Sequence, residues 1–101
     1  MTLNKDTRIL IVGLGLMGGS YAKALTRRGY RVSAITKEQS SVDYALREGI
    51  IAYGTTAVDP ELIARSELII FALYPHIFIE WIRENQQYFS AGTVITDLTG
   101  V

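Results

Sequence analysis

The sequence predicts an α/β domain built on a doubly wound parallel sheet. Three observations carry that prediction. A continuous apolar run, Ile9 to Val12, suits a strand buried on both faces of a parallel sheet. Gly13, Gly15 and Gly18 follow it at once and lead into a helix-like segment. Further apolar runs then alternate with segments of helical periodicity, as repeated β-α-β units do. Right-handed crossovers between such units give the strand order 3-2-1-4-5.

The elements follow in order. Met1 to Thr7 is a polar lead-in, and strand one is expected from Arg8 to Val12. A first helix is expected from Met17 to Arg28, with Met17, Tyr21, Ala22, Ala24 and Leu25 as its buried stripe. Arg27 and Arg28 suit the negative end of its dipole, and Gly29 reads as the residue just past its end. Strand two is Tyr30 to Ile35. A second helix, Gln39 to Glu48, turns Val42, Ala45 and Leu46 inward and stops at Gly49. A short third strand is placed at Ile50 to Tyr53. Asp59-Pro60 announces a brief helix to Arg65, because Asp59 can cap and proline is favoured at the first helical position. Strand four is Glu67 to Leu73, broken by Tyr74-Pro75. The last helix runs from His76 to Tyr88, with Phe78, Trp81, Ile82 and Phe89 as core positions. Strand five is Thr93 to Thr96. A complete domain of this kind has a sixth strand, so residues 1–101 read as one domain, the front part of a longer protein, truncated before that strand.

Composition narrows the function. The chain is 49% hydrophobic and 20% charged, ordinary for a globular domain. Ten basic residues balance ten acidic ones, which argues against nucleic acid or an anionic membrane as the main partner. There is no cysteine, so disulfides, thiolate catalysis and cysteine-ligated zinc are excluded, and the single histidine, His76, excludes multi-histidine metal sites. Every apolar run is too short to span a bilayer, and the expected compartment is a reducing cytoplasm.

The glycine spacing is G-x-G-x-x-G between a strand and a helix, the context in which it marks a dinucleotide-binding, Rossmann-type fold. Each glycine plays a separate part. Gly13 turns the chain out of the strand, Gly15 lets a pyrophosphate approach the backbone, and Gly18 lets the helix pack on the strand. Leu14, Leu16 and Met17 belong to the same loop. Ligands of such sheets lie outside the carboxyl ends of the strands. Thr36 and Lys37 after strand two, Leu73, Tyr74 and Pro75 after strand four, and Asp97 and Thr99 after strand five therefore join the candidate site.

The end of strand two bears on cofactor choice. An NAD site carries Asp or Glu there for the ribose 2′-hydroxyl. Here Thr36 and Lys37 stand at that place, which favours NADP over NAD, and Ser40 and Ser41 offer further hydroxyl donors. Glu38 opposes this if it faces inward, and Lys37 can equally be a solvated surface residue. His76 lies at a helix start and reads as a cofactor contact or as a partly exposed helix residue. No catalytic carboxylate pair, nucleophile–base arrangement or metal cluster is visible.

Val12 to Ser20, V-G-L-G-L-M-G-G-S, resembles the V-G-L-G-L-I-G-G-S opening of the prephenate and arogenate dehydrogenases. Ala45 to Gly49 resembles the end of that family's second helix, Ser66 to Leu73 its A-D-L-V-V-L-A-V strand, and Ile95 to Val101 its strand ending in T-D-V-x-S-V-K. The resemblance spans nearly the whole chain. It implies oxidative decarboxylation of prephenate or arogenate in tyrosine synthesis, with hydride passing to a nicotinamide and carbon dioxide leaving. It places the histidine that polarises the substrate hydroxyl beyond Val101, so no catalytic residue is assigned here and the fragment alone is expected to be inactive. It also implies that the small-molecule substrate binds only with a C-terminal domain, whose helices form a homodimer. The family's serine near the substrate falls on Gly100, and its proline after strand four comes one place late, as Pro75. The Gly13 to Gly18 stretch is also similar to the G-L-G-x-M-G opening of 3-hydroxyisobutyrate dehydrogenases. A third possibility is a nucleotide-sensing module without catalysis.

Overall fold

Five parallel strands form one sheet in the order β3-β2-β1-β4-β5 in the computed structural model, which describes residues 4–98. In chain order the elements are β1 (Ile9–Val12), α1 (Leu16–Arg27), β2 (Val32–Ile35), α2 (Gln39–Arg47), β3 (Tyr53–Thr55), α3 (Pro60–Arg65), β4 (Leu68–Phe71), α4 (Pro75–Asn85), a 3-10 turn (Gln86–Tyr88) and β5 (Val94–Asp97). The predicted Rossmann-type architecture and strand order are the observed ones.

β1 is the centre. It pairs with β2 and β4 over its whole length, and all four of its residues are buried. Side chains alternate across a strand, so β1 feeds two cores. Ile9 and Ile11 join Ala22 of α1, Ala45 of α2 and Leu98 on one face. Leu10 and Val12 join Leu62 and Ile63 of α3, with Phe78, Trp81 and Ile82 of α4 packed against them, on the other. Phe71 anchors the second core, its ring edge-on to Phe78 at 5.0 Å and to Trp81 at 5.2 Å. Among the described residues, no helix is long and apolar enough to cross a membrane.

Helix ends follow their local chemistry. The Asp59 carboxylate accepts the Leu62 N–H at 3.1 Å, capping α3, with Pro60 at its first position. α1 and α2 both end in a Schellman arrangement. Beyond α1, Gly29 donates to the Thr26 carbonyl and Tyr30 to that of Leu25; beyond α2, Gly49 donates to Leu46 and Ile50 to Ala45.

Several expected details shift. The third strand begins at Tyr53, not Ile50: Ile51 instead buries its side chain under α2, and pairing with β2 starts only once the chain has passed it. On α1 the inward stripe is Gly18, Ala22 and Leu25, at spacings of four and three, while Met17, Tyr21 and Ala24 are exposed. On α2 Leu46 is exposed, because Val42 and Ala45 already fill the narrow contact. Strand pairing is shorter than the apolar runs at Tyr30–Arg31 and Ala72–Leu73, and Pro75 opens α4 rather than preceding it.

Candidate functional site

The site begins where β1 ends. Gly13 adopts φ +98°, a region L side chains rarely adopt, and donates its N–H to the Ile35 carbonyl at 2.8 Å. A Cβ on Gly13 would lie 2.6 Å from the Ala72 carbonyl oxygen. A Cβ on Gly18 would lie 2.0 Å from the Gly13 carbonyl oxygen and 3.1 Å from the Ala72 Cβ. These two glycines therefore let α1 lie directly against the ends of β1 and β4. Gly15 differs: its φ of −68° suits any residue, and an added Cβ would meet no atom within 4 Å. Nothing in the fold demands glycine there. What its absent side chain provides is free space in front of the loop.

That space faces the start of α1. Gly15 is the N-cap residue, no side chain caps the helix, and the first helical bond runs from the Gly19 N–H to the Gly15 carbonyl at 2.8 Å. The amides of Leu16, Met17 and Gly18 thus lie at the positions that have no acceptor within their own helix. No acidic residue sits in this first turn, so the positive end of the helix dipole is open to an anion.

The neighbouring strand ends build the walls. Beyond β2, the Thr36 N–H donates to the Thr55 carbonyl at 3.1 Å, and its hydroxyl oxygen accepts the Leu14 N–H at 3.3 Å. Thr36 thereby ties β3, β2 and the glycine loop together, and its hydroxyl keeps one proton to donate. Lys37, Glu38 and Ser41 continue this wall, and Ala72, Leu73 and Tyr74 form the opposite one. Together they enclose a cleft of about 730 Å³. It extends along Thr56 and Val58 of the β3–α3 loop and along a stripe of α4 that includes Ile77, Trp81 and Asn85. Two large side chains stand bare at its rim: Leu16 is 90% exposed and Tyr74 73%.

Of the candidate residues, the cleft brings together Gly13, Leu14, Gly15, Leu16, Met17, Gly18, Thr36, Lys37, Leu73 and Tyr74. It does not include Ser40, Pro75 or Asp97. Ser40 is exposed on α2, and Ser41, one residue and about 100° further round the helix, takes the wall position. Pro75 forms the exposed first turn of α4. Asp97 ends the edge strand β5, and the residue after it, Leu98, lines the cleft. Thr99 lies outside the described residues. His76 is exposed and outside the lining. Sequence reasoning missed Thr56 and Val58, which carry no motif. It placed Trp81 in the core, where it does pack, without its second role in the cleft wall.

The family model described as the NAD binding domain of 6-phosphogluconate dehydrogenase matches residues 8–101. The T-protein of Haemophilus influenzae is 26% identical over 102 residues, covering 99% of this chain and 23% of its own length. A prephenate dehydrogenase from A. aeolicus, solved in complex with hydroxyphenyl propionate and NAD+, is 28% identical with a TM-score of 0.83, over 96% of this chain and 34% of that one. The arogenate dehydrogenase of Synechocystis shares the fold, with a TM-score of 0.85 at 24% identity, over 94% of this chain and 34% of that one. The chain spans about a third or less of the length of these relatives.

Proposed function

Because this chain belongs to the family described as the NAD binding domain of 6-phosphogluconate dehydrogenase, we propose that it is the dinucleotide-binding part of a dehydrogenase of the prephenate or arogenate type. The observation that carries the reading is the contrast among the three glycines: two are locked by packing, while Gly15 fronts open space beside uncapped amides. A pyrophosphate fits that arrangement. Its oxygens would accept from the first-turn amides of α1, while Thr36 and Lys37 face the adenosine ribose and Leu73 and Tyr74 take the opposite side. When bound, the nicotinamide supplies the hydride acceptor for oxidation of a ring hydroxyl with loss of carbon dioxide. The substrate-polarising histidine and the substrate-closing, dimer-forming domain lie outside these residues. The 101-residue chain alone therefore binds dinucleotide but does not turn over prephenate or arogenate.

NADP is the preferred cofactor in this proposal, by a modest factor. Thr36 can donate to a phosphate oxygen and Lys37 adds a charge nearby, where a charge-assisted bond contributes about 1.5–3 kcal/mol. Exposure of Lys37 and the carboxylate of Glu38 in the same wall hold the effect at the low end. Paired dissociation constants for NADP and NAD at one salt concentration test this. Thr36→Asp keeps an acceptor for the Leu14 amide and adds repulsion, so it reverses the preference. Lys37→Ala weakens NADP and leaves NAD nearly unchanged, and Glu38→Gln widens the preference for NADP. A wild-type preference for NAD, or equal weakening of both by Lys37→Ala, refutes the 2′-phosphate assignment. Binding of neither dinucleotide refutes the functional reading as a whole.

A further inference from the structure

The opposite end of the sheet carries a second recess, of about 1030 Å³, that the dinucleotide does not need. Its origin is the brevity of α3. Six residues make a helix of about 9 Å, and this one leaves the lower corner of β1, β2 and β3 uncovered on its face. Four cations line that corner: Lys5 from the lead-in, Arg8 before β1, Arg31 before β2 and Arg65 at the end of α3.

Strand register explains why they converge. Ile9 stands beside Val32, so Arg8 and Arg31 are neighbours on adjacent strands. Ile9 and Val32 both enter the core under α1 and α2, so the preceding residue of each strand turns to the α3 face. Like charges side by side on neighbouring strands are destabilising. No carboxylate among the described residues pairs with any of the four within 4.0 Å; the ion pair of Arg47 with Glu48 lies elsewhere on the surface. Glu67, next to Arg8, turns a carboxylate oxygen to the Arg8 backbone N–H at 3.2 Å. Asp6 is the single acid in the lining. The concentration is local, because the whole chain carries ten charges of each sign. Ser33 adds a hydroxyl to the lining, and Tyr53 adds an aromatic wall.

We propose that this recess is a second anion site, distinct from the dinucleotide cleft, which takes a small organic molecule bearing two or more clustered carboxylate or phosphate groups. Guanidinium groups from two strand starts and one helix end present forked donors to planar carboxylates or phosphates. Three arginines around one concavity fit a compact polyanion better than a single charge. The site goes beyond the cofactor reading and does not depend on it, since it shares no residue with the cleft.

The test is calorimetric titration of the 101-residue chain with citrate and, separately, with pyrophosphate, each at constant ionic strength maintained with sodium chloride. Because pyrophosphate also suits the dinucleotide cleft, saturable binding supports the site only where saturating NADP leaves it undiminished, and the stronger of the two anions then tells carboxylate from phosphate recognition. The double variant Arg31→Gln, Arg65→Gln should lose at least tenfold in affinity for that anion and leave NADP affinity unchanged. Failure of both anions to bind above the chloride background, or binding that survives the double variant, overturns the proposal. A melting series in anion-poor buffer guards against a merely unfolded variant. Added chloride should raise the Tm of the wild-type chain more than that of Arg31→Gln, because screening relieves the repulsion among the four cations. Equal salt dependence removes the premise.

Discussion

Gly15 and Gly18 of the loop should separate cleanly on substitution, the first into binding and the second into stability. Gly18→Ala places a methyl carbon 2.0 Å from the Gly13 carbonyl oxygen and 3.1 Å from the Ala72 Cβ. The first neighbour is backbone at the end of the central strand, so relief requires α1 to move off the sheet. Overpacking of this kind costs about 1–3 kcal/mol, and a backbone collision belongs at the upper end. For a domain of this size each kcal/mol shifts Tm by about 4–8 °C, so the variant should melt roughly 10–20 °C lower. Gly15→Val meets no atom within 4 Å and keeps an ordinary φ. It gives up glycine's preference at an N-cap, a cost of about 0.5–1 kcal/mol, against a gain of about 0.4–1 kcal/mol from a stiffer unfolded chain. Stability should change little. The branched side chain, however, enters the space where a pyrophosphate would meet the amides, and dinucleotide affinity should fall at least tenfold, about 1.4 kcal/mol. Calorimetric titration with NADP and NAD, paired with melting followed by circular dichroism, reads both effects. Undiminished binding by a folded Gly15→Val chain refutes the placement of the phosphates. A wild-type Tm for Gly18→Ala refutes the division of labour.

Three further substitutions probe the cleft and the packing of the surrounding fold. Thr36→Val leaves the Leu14 amide without its acceptor and should weaken NAD by several-fold and NADP by more, because the hydroxyl also donates to the 2′-phosphate; loss of NADP affinity alone would show that the hydroxyl serves only the 2′-phosphate. Asp59→Ala removes the cap on α3 and should cost about 1 kcal/mol in denaturant melts with dinucleotide affinity unchanged; no loss of stability would refute the capping bond. Gly54→Ala would bring a methyl 2.7 Å from the Ile51 Cδ1 and 2.9 Å from the Val42 Cγ1, and should destabilise by about 1–2 kcal/mol, less than Gly18→Ala because side-chain tips can yield; an unchanged midpoint would show slack under α2.

Legibility in the sequence tracked how local the determining physics is. The cap at Asp59 and the glycine stops at Gly29 and Gly49 rest on contacts within a few residues, and they stand where the pattern put them; β1 is legible for another reason, since pairing on both sides and burial on both faces demand an unbroken apolar run. β3 failed because Ile50-Ile51 is apolar whether it pairs or merely plugs the space under α2, and that choice depends on where β2 begins. On α1, alanines and aromatics of similar hydropathy surround the true stripe. What selects Gly18, Ala22 and Leu25 is the need for the smallest side chain to face Gly13. Among the candidate residues, the glycine loop, Thr36 and Lys37 after β2 and Leu73 and Tyr74 after β4 line the cleft, whereas Asp97 at the end of the edge strand does not, and Ser40 and Ser41 differ only by a helical rotation that no composition reveals. Trp81 could not be assigned one role because it has two: its ring packs edge-on to Phe71 in the core while also lining the cleft.

The loop's hydrogen bonds set the direction of the first-turn amides of α1. The Gly13 amide is used by the Ile35 carbonyl and the Leu14 amide by the Thr36 hydroxyl, and the Ala72 amide donates to Val12 from the other side. The chain is therefore sewn to both neighbouring strands up to Leu14, and only beyond it do the amides of the first helical turn stand without partners of their own. Ordering those donors in advance spares a bound anion the entropy of doing so, which is where preorganised sites gain affinity. An isolated glycine-rich turn has no such reason to stay open. Here the same strand pairing that buries Ile9 to Val12 also aims the amides, so the stability of β1 and the affinity of the cleft are linked, and core substitutions at Phe71 or Ile11 should loosen the cleft before they unfold the sheet.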